Sequence, residues 1–248
     1  MRRRFTLDQV FALLLLPVVM VVLAVLYVIV VPLQGRPFIF SSERMRRPDE
    51  AFRLLKVRTM HPMTARVEQS ALGGDEMWRV TPVGRVLRRT RLDELPQILN
   101  VLRGDIRFIG PRPPLRKYVV QYPDLYEQVL KDTPPGITGL ATVLLHAREE
   151  RLLSACRSPG ETERVYRRRC IPVKARLDLI YRDRRGLVLN LRILWMTLSR
   201  LWPSRKPDVV KVPAIPSADQ AYSGKSAPSV RLVRDAIQKP LDWICMRA

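Results

Sequence analysis

Cysteine, histidine and acidic residues are all scarce in this 248-residue chain. Cys156, Cys170 and Cys245 stand far apart with no Cys-x-x-Cys spacing, and only His61 and His146 could join them. That set builds neither a zinc site nor a disulfide framework, and three reduced thiols are the plain reading. A Gly-x-Gly-x-x-Gly fingerprint and a P-loop are also missing, which excludes the common nucleotide folds. The shortage of acid has the widest consequence: 23 Asp and Glu face 44 Lys and Arg, leaving a formal charge of +21. Such a surface faces something anionic: nucleic acid, anionic lipid or a phosphorylated substrate. At 47% hydrophobic residues the chain is not disordered, and its length suits one domain with appendages.

What is abundant begins at the N-terminus. From Val10 to Val31 no residue carries a charge, a run long enough to cross a hydrocarbon core. A cleaved signal peptide fits less well, because its apolar region is shorter and Pro32-Leu33-Gln34-Gly35-Arg36 is a poor cleavage site. Arg2, Arg3 and Arg4 precede the run, and Arg36, Arg44, Arg46 and Arg47 follow it, so both flanks claim the cytoplasmic side. Pro17 lies inside, where it removes one helical hydrogen bond and clashes with the Leu13 carbonyl. A kinked helix that enters and returns on one face satisfies both flanks. A tilted span with a tolerated proline is the other reading, and composition does not separate them.

After the run, residues 37–40 and 51–60 read as short strands, with Lys56 and Arg58 on one face of the second. Residues 61–78 read as an irregular loop. Thr90 fits the N-cap of a helix with Pro96 in its first turn and Leu95, Ile98, Leu99 and Leu102 on one buried face. Residues 162–185 are dense in arginine, and 187–202 form an apolar helix with Trp195 and Trp202, suited to a core or a headgroup layer. From Pro203 prolines recur, and 203–229 reads as a flexible linker.

The densest chemistry lies in residues 79–113. Asp93 and Glu94 are adjacent carboxylates at the expected helix start, where the macrodipole favours the charged form. Arg85, Arg88, Arg89 and Arg91 crowd the approach, and Arg112 is held extended between Pro111 and Pro113. An ionised aspartate can attack phosphorus, and a neighbouring glutamate can hold Mg²⁺. Each feature alone is more often a cap or a solvated face.

Together these residues resemble the bacterial sugar transferases, the monotopic phosphoglycosyl transferases acting on polyprenyl phosphate. The resemblance rests on Lys56-Val57-Arg58-Thr59-Met60, Arg79 to Gly84, Leu92 to Gln97, Asn100-Val101-Leu102, Gly104-Asp105, Gly110 to Pro113, Pro135 to Gly139, and the basic helix around Lys174 and Asp178. It covers residues 1 to about 202. It implies an α/β (α+β), mostly helical fold: a basic flank and re-entrant membrane helix over 1–35 broken at Pro17, a membrane-associated catalytic domain over 36–202 with a short sheet and interfacial amphipathic helices, and a Pro-rich extension over 203–248. It implies that Asp93 attacks the β-phosphate of a UDP-sugar, releases UMP and passes the phosphosugar to polyprenyl phosphate, to initiate a surface glycan. Glu94 would bind Mg²⁺. Lys56, Arg58, Arg88 and Arg112 would hold phosphates, with Thr138 and Asp178 as further substrate residues. The implied partners are UDP-sugar, undecaprenyl phosphate and anionic inner-membrane lipid on the cytoplasmic face, with self-association left open. Leu16, Arg107, Asn190 and Thr142 to His146 depart from the family's usual residues. The competing class, a membrane-tethered nucleic-acid binder, lacks a helix-turn-helix pattern and any interleaving of aromatics with basic runs, so no nucleic acid is expected.

Overall fold

A computed structural model of the chain describes residues 6–61 and 73–199; Arg2 to Arg4, most of the 61–78 loop, Trp202 and the Pro-rich extension lie outside these residues. Helix α1 (Leu7–Gln34) opens with a reciprocal cap: Thr6 Oγ1 accepts from Gln9 N–H, and Gln9 Oε1 accepts from Thr6 N–H at 3.0 Å. It is the one described helix long and apolar enough to cross a membrane. Its inward stripe (Ala12, Leu23, Leu26 and Val30) is buried, while Leu7, Phe11, Leu14, Val18, Val21 and Val28 face outward and exposed. The stripe joins two cores of the remaining chain. Ala12 meets Leu54, Ile98, Val101 and Ile106; Leu23, Leu26 and Val30 meet Val57 and Leu87. Each of the buried Leu, Ile and Val side chains contributes about 1.5–3 kcal/mol.

The hairpin β1 (Ile39–Met45) and β2 (Ala51–Val57) pairs antiparallel from Ile39↔Val57 to Met45↔Ala51. A 3₁₀ turn (Gly74–Arg79) leads to α2 (Pro82–Thr90), a second 3₁₀ turn (Leu92–Glu94) and α3 (Gln97–Arg103). Then come β3 (Arg107–Ile109), α4 (Arg116–Gln121), α5 (Pro123–Leu130) and β4 (Gly136–Thr138), with β4 parallel to β3. The rest is helical: α6 (Leu140–Ser154), α7 (Pro159–Val165), a π-helical turn (Tyr166–Cys170), α8 (Ile171–Arg184) and α9 (Leu187–Ser199). Helix α8 divides two further cores, one around Met45, Tyr118 and Val129, the other around Leu140, Leu177 and Ile193.

Two expectations need correction. The helix is not interrupted at Pro17: Leu7–Gln34 is one element with Pro17 and Pro32 inside it. Thr90 is no N-cap either. It ends α2, where its hydroxyl donates back to the Val86 carbonyl at 2.9 Å. Arg91 follows in the left-handed conformation (φ 60°) and reverses the chain, so Asp93 and Glu94 sit in the 3₁₀ turn between α2 and α3. A left-handed arginine is uncommon and locally costly, and such residues cluster at functional sites.

Candidate active site

Three pieces of chain converge on the carboxylate pair. Strand β2 delivers Lys56, the 3₁₀ turn delivers Asp93 and Glu94, and the Gly110 to Pro113 segment delivers Arg112. Glu94 Oε1 accepts from Lys56 Nζ at 3.1 Å and from an Arg112 Nη2 at 3.3 Å, and its Oε2 accepts from Arg91 Nη1 at 3.1 Å. Asp93 is just as buried, yet its carboxylate makes no hydrogen bond or ion pair among the described residues. Arg88 donates through Nε to Thr59 Oγ1 at 2.9 Å and lies within electrostatic range of Asp93.

The two carboxylates are therefore tuned apart. Burial raises the pKa of Asp93 from its ordinary value, outweighing the pull of Lys56 and with Glu94 adding to the rise. Burial pushes Glu94 the same way, but Lys56, Arg112 and Arg91 reverse it and hold Glu94 ionised far into acid. Lys56 is pulled down by burial, partly offset by Glu94. Lys56, Arg88, Arg91 and Arg112 outnumber the two carboxylates by two positive charges, which leaves the site matched to a dianion.

The Arg112 segment is fixed by close backbone packing. Gly136 N–H donates to the Pro111 carbonyl at 2.8 Å, and Gly110 N–H donates to the Thr138 carbonyl at 2.9 Å. A Cβ on Gly110 would collide with the Pro134 carbonyl oxygen, and one on Gly139 with the Gly110 carbonyl oxygen, so the two segments meet only through glycine. On its far side Arg112 feels Glu149, which accepts from Lys174 Nζ at 2.9 and 3.0 Å; Lys174 also donates to the Tyr166 hydroxyl at 3.4 Å. Burial opposes the charge of Arg112, but Glu94 and Glu149 together raise its pKa.

The structure brings Lys56, Arg88, Asp93, Glu94 and Arg112 together. Arg58 is not with them. Its Nη2 donates to the Gln34 carbonyl and, at 2.6 Å, to the Gly35 carbonyl, satisfying the C-terminal end of α1. Thr138 Oγ1 shares a 2.9 Å hydrogen bond with Thr197 of α9 and makes no contact with the carboxylate pair. Asp178 is buried in α8 with Oδ1 unpartnered, and burial pushes its pKa up to about 7 against the pull of Lys174. Sequence reasoning missed Asn100. Fully buried, it accepts from Leu55 N–H at 3.0 Å and donates to the Arg53 carbonyl at 2.7 Å and to Asp105 at 2.9 Å, locking α3 to β2. A polar residue inside the apolar run 98–102 was the available signal. Glu149 and Tyr166 carried none.

The donor set suits a hard divalent cation. The Asp93 oxygens are free and Glu94 Oε2 has one partner, while no cluster of three His, Cys, Asp or Glu side chains occurs among the described residues. An ion held by Asp93 and Glu94 would take its remaining ligands from phosphate oxygens and water.

The family model described as bacterial sugar transferase matches residues 2–203. The chain belongs to that family. It is 32% identical over 167 residues to the uncharacterized sugar transferase EpsL of Bacillus subtilis, an alignment covering 67% of this chain and 71% of that protein. It is 40% identical over 118 residues to a UDP-glucose:undecaprenyl-phosphate glucose-1-phosphate transferase of Caulobacter vibrioides, covering 43% of this chain and 40% of that protein. A UDP-N-acetylgalactosamine-undecaprenyl-phosphate N-acetylgalactosaminephosphotransferase of Aeromonas hydrophila is 40% identical over 114 residues, covering 44% of this chain and 26% of that protein. The chain thus spans well under half the length of these last two relatives.

Proposed function

We propose that the protein is a phosphoglycosyl transferase that moves a phosphosugar from a UDP-sugar to polyprenyl phosphate. The observation that carries the assignment of roles is the contrast within the pair: Glu94 is tied by three cations, and Asp93 is free. An Asp93 oxygen attacks the β-phosphorus, and the bond from that phosphorus to the bridging oxygen breaks. UMP leaves with the electron pair, and the phosphosugar stays on Asp93. A polyprenyl phosphate oxygen then attacks the same phosphorus, the Asp93–phosphorus bond breaks, and the carboxylate is restored. Burial makes Asp93 more basic and so more nucleophilic than a solvated carboxylate. Arg112 offers a planar fork to the phosphates, Lys56 and Arg88 add charge, and Glu94 keeps Lys56, Arg91 and Arg112 in register. Mg²⁺ held by Asp93 and Glu94 would neutralise diphosphate charge when bound.

The site acts from the cytoplasmic face of the inner membrane, with α1 re-entrant. Both ends of α1 bond the same domain: Gln9 Nε2 donates to the Leu102 carbonyl at 2.9 Å, and Gln34 Nε2 donates to the Arg58 carbonyl at 2.6 Å. Summed reach through Asn100 and Leu55 puts those carbonyls no more than about 28 Å apart, whereas a straight helix separates Gln9 and Gln34 by about 37 Å. Helix side chains lean toward the N-terminus, so only Gln34 leans inward to recover part of the difference. A bow in α1 would recover the rest, and Pro17, which removes a helical hydrogen bond, is where the helix would bend most readily.

The test is mass analysis of the full chain given UDP-sugar and Mg²⁺ without lipid. The wild type gains a phosphosugar on Asp93, and Asp93→Asn gains none and loses turnover. An active Asp93→Asn enzyme, or no adduct on the wild type, would end the covalent reading.

A further inference from the structure

Arg107 opens onto a cavity away from Asp93. The cavity is open, has a volume of about 380 Å³, and is lined by Arg46, Arg47, Arg107, Lys131, Asp132 and Arg185, with Leu130 and Pro134 beneath. Its five cations come from three separated parts of the fold: the β1–β2 turn, β3 with the α5–β4 loop, and the end of α8. Two carboxylates oppose them. Glu50 pairs with Arg46 at 3.3 Å and with Arg47 at 4.0 Å, and Asp132 contributes its own charge. Arg185 Nη1 is pinned by a 2.7 Å bond to the Asp132 carbonyl. The side chains of Arg107 and Lys131 have no hydrogen-bond or ion-pair partner among the described residues; their backbone N–H groups donate to the Pro135 and Glu127 carbonyls. The excess of positive charge and the volume fit a phosphate-bearing ligand, since anion sites are built from converging guanidinium and ammonium donors.

The cavity's position narrows the source. Phe108, next to Arg107, donates its backbone N–H to Asp8 Oδ1 in the first turn of α1 at 3.1 Å. The cavity rim therefore lies level with the start of the exposed apolar run that begins at Leu7, Val10 and Phe11. We propose that this cavity binds the phosphate of an anionic lipid headgroup at the membrane boundary, separately from the substrate site. The proposal rests on the membrane reading of α1 given above. It gives the chain a preference among lipids that α1, which is apolar along its run, cannot supply.

Binding of the full chain to vesicles separates the two ideas. Vesicles of phosphatidylcholine alone test α1: failure to bind them defeats the membrane reading and, with it, the lipid occupant. Adding phosphatidylglycerol tests the cavity. Wild type gains affinity, and Arg107→Ser with Lys131→Ala lowers that gain by roughly fivefold per cation removed. A control pair, Arg151→Ser with Arg157→Ala, takes the same charge from exposed positions elsewhere and keeps most of the gain. Equal losses from both pairs would show diffuse charge attraction and overturn the proposal. A calorimetric arm titrates inorganic phosphate into detergent-solubilised chain. Phosphate binding that needs Arg107, with unchanged vesicle affinity in the variants, would assign the cavity to a soluble anion and overturn the lipid occupant. Turnover of UDP-sugar in detergent stays at the wild-type value in the Arg107 and Lys131 variants.

Discussion

At the scale of single residues, the site divides its labour by desolvation and pairing rather than by residue type. Asp93 and Glu94 are the same functional group one position apart, yet pairing with Lys56, Arg91 and Arg112 holds one ionised while burial makes the other more basic. Arg112 matters here as geometry and not only as charge, because it reaches Glu94 on one side and the field of Glu149 on the other. Arg112→Lys keeps the charge but loses the fork. We expect kcat for phosphosugar transfer to fall by roughly two to three orders of magnitude. Near-wild-type steady-state rates would refute the bidentate role. Asp178 supplies a stability prediction of definite sign. Its folded pKa of about 7 lies above the ordinary carboxylate value of 3.8. The native state therefore holds a proton there that the unfolded chain releases, and stability falls as pH rises through that window. Asp178→Asn removes the slope and is more stable than wild type at pH above 7, by up to about 4 kcal/mol. Thermal midpoints measured across that pH range check it; parallel curves for the two proteins would count against a buried, protonated Asp178.

At the scale of elements, α1 is fastened to the catalytic machinery by polar bonds at its ends and an apolar stripe between them. Arg58 is the strongest of these fastenings, since it answers the unsatisfied carbonyls of Gln34 and Gly35 directly. Arg58→Met leaves those carbonyls bare and is expected to cost about 1–3 kcal/mol of stability. The KM for UDP-sugar should not move. A raised KM at an unchanged thermal midpoint would return Arg58 to the phosphate site. That residue also shows where sequence reasoning stops. The alternation that places Lys56 and Arg58 on one face ends with β2 at Val57, and the next residue turns toward α1 instead. The Asp93-Glu94 pair and the Arg112 clamp were legible because proline, charge and adjacency act locally. The turn around Arg91 was not, because a left-handed arginine leaves no mark in sequence, and Thr90 is as good a helix end as a helix start. Glu149 and Asn100 reach their partners only through tertiary packing, which spacing does not encode.

At the scale of the whole molecule, the decisive question is which side of the membrane each end of α1 occupies. A helix crossing the bilayer would carry Asp8 and Gln9 to the face opposite Gln34, about 37 Å away. Those residues instead bond Phe108 and Leu102 of the domain that also bonds Gln34 through Arg58 and Thr81. Keeping these contacts in a spanning helix would drag α3, β3 and their charged neighbours into hydrocarbon, at a cost of several kcal/mol for each unsatisfied polar group. The re-entry proposed above would avoid that cost: both ends would stay at one interface, the exposed residues from Leu7 to Leu33 would meet lipid, and the Asp93 site would face cytoplasmic substrate. Arg4→Cys and Arg36→Cys, placed singly in a chain with Cys156, Cys170 and Cys245 replaced, should both be shielded from a membrane-impermeant thiol reagent added from the periplasm. Both should react once the inner face is opened. Pro17→Leu favours a straighter helix, so it should strain the two end anchors, lower turnover and leave Asp93 chemistry intact in the fraction that still folds. Periplasmic labelling at position 4 alone would mean that α1 crosses the membrane, and that the Gln9 and Asp8 contacts are absent in the cell.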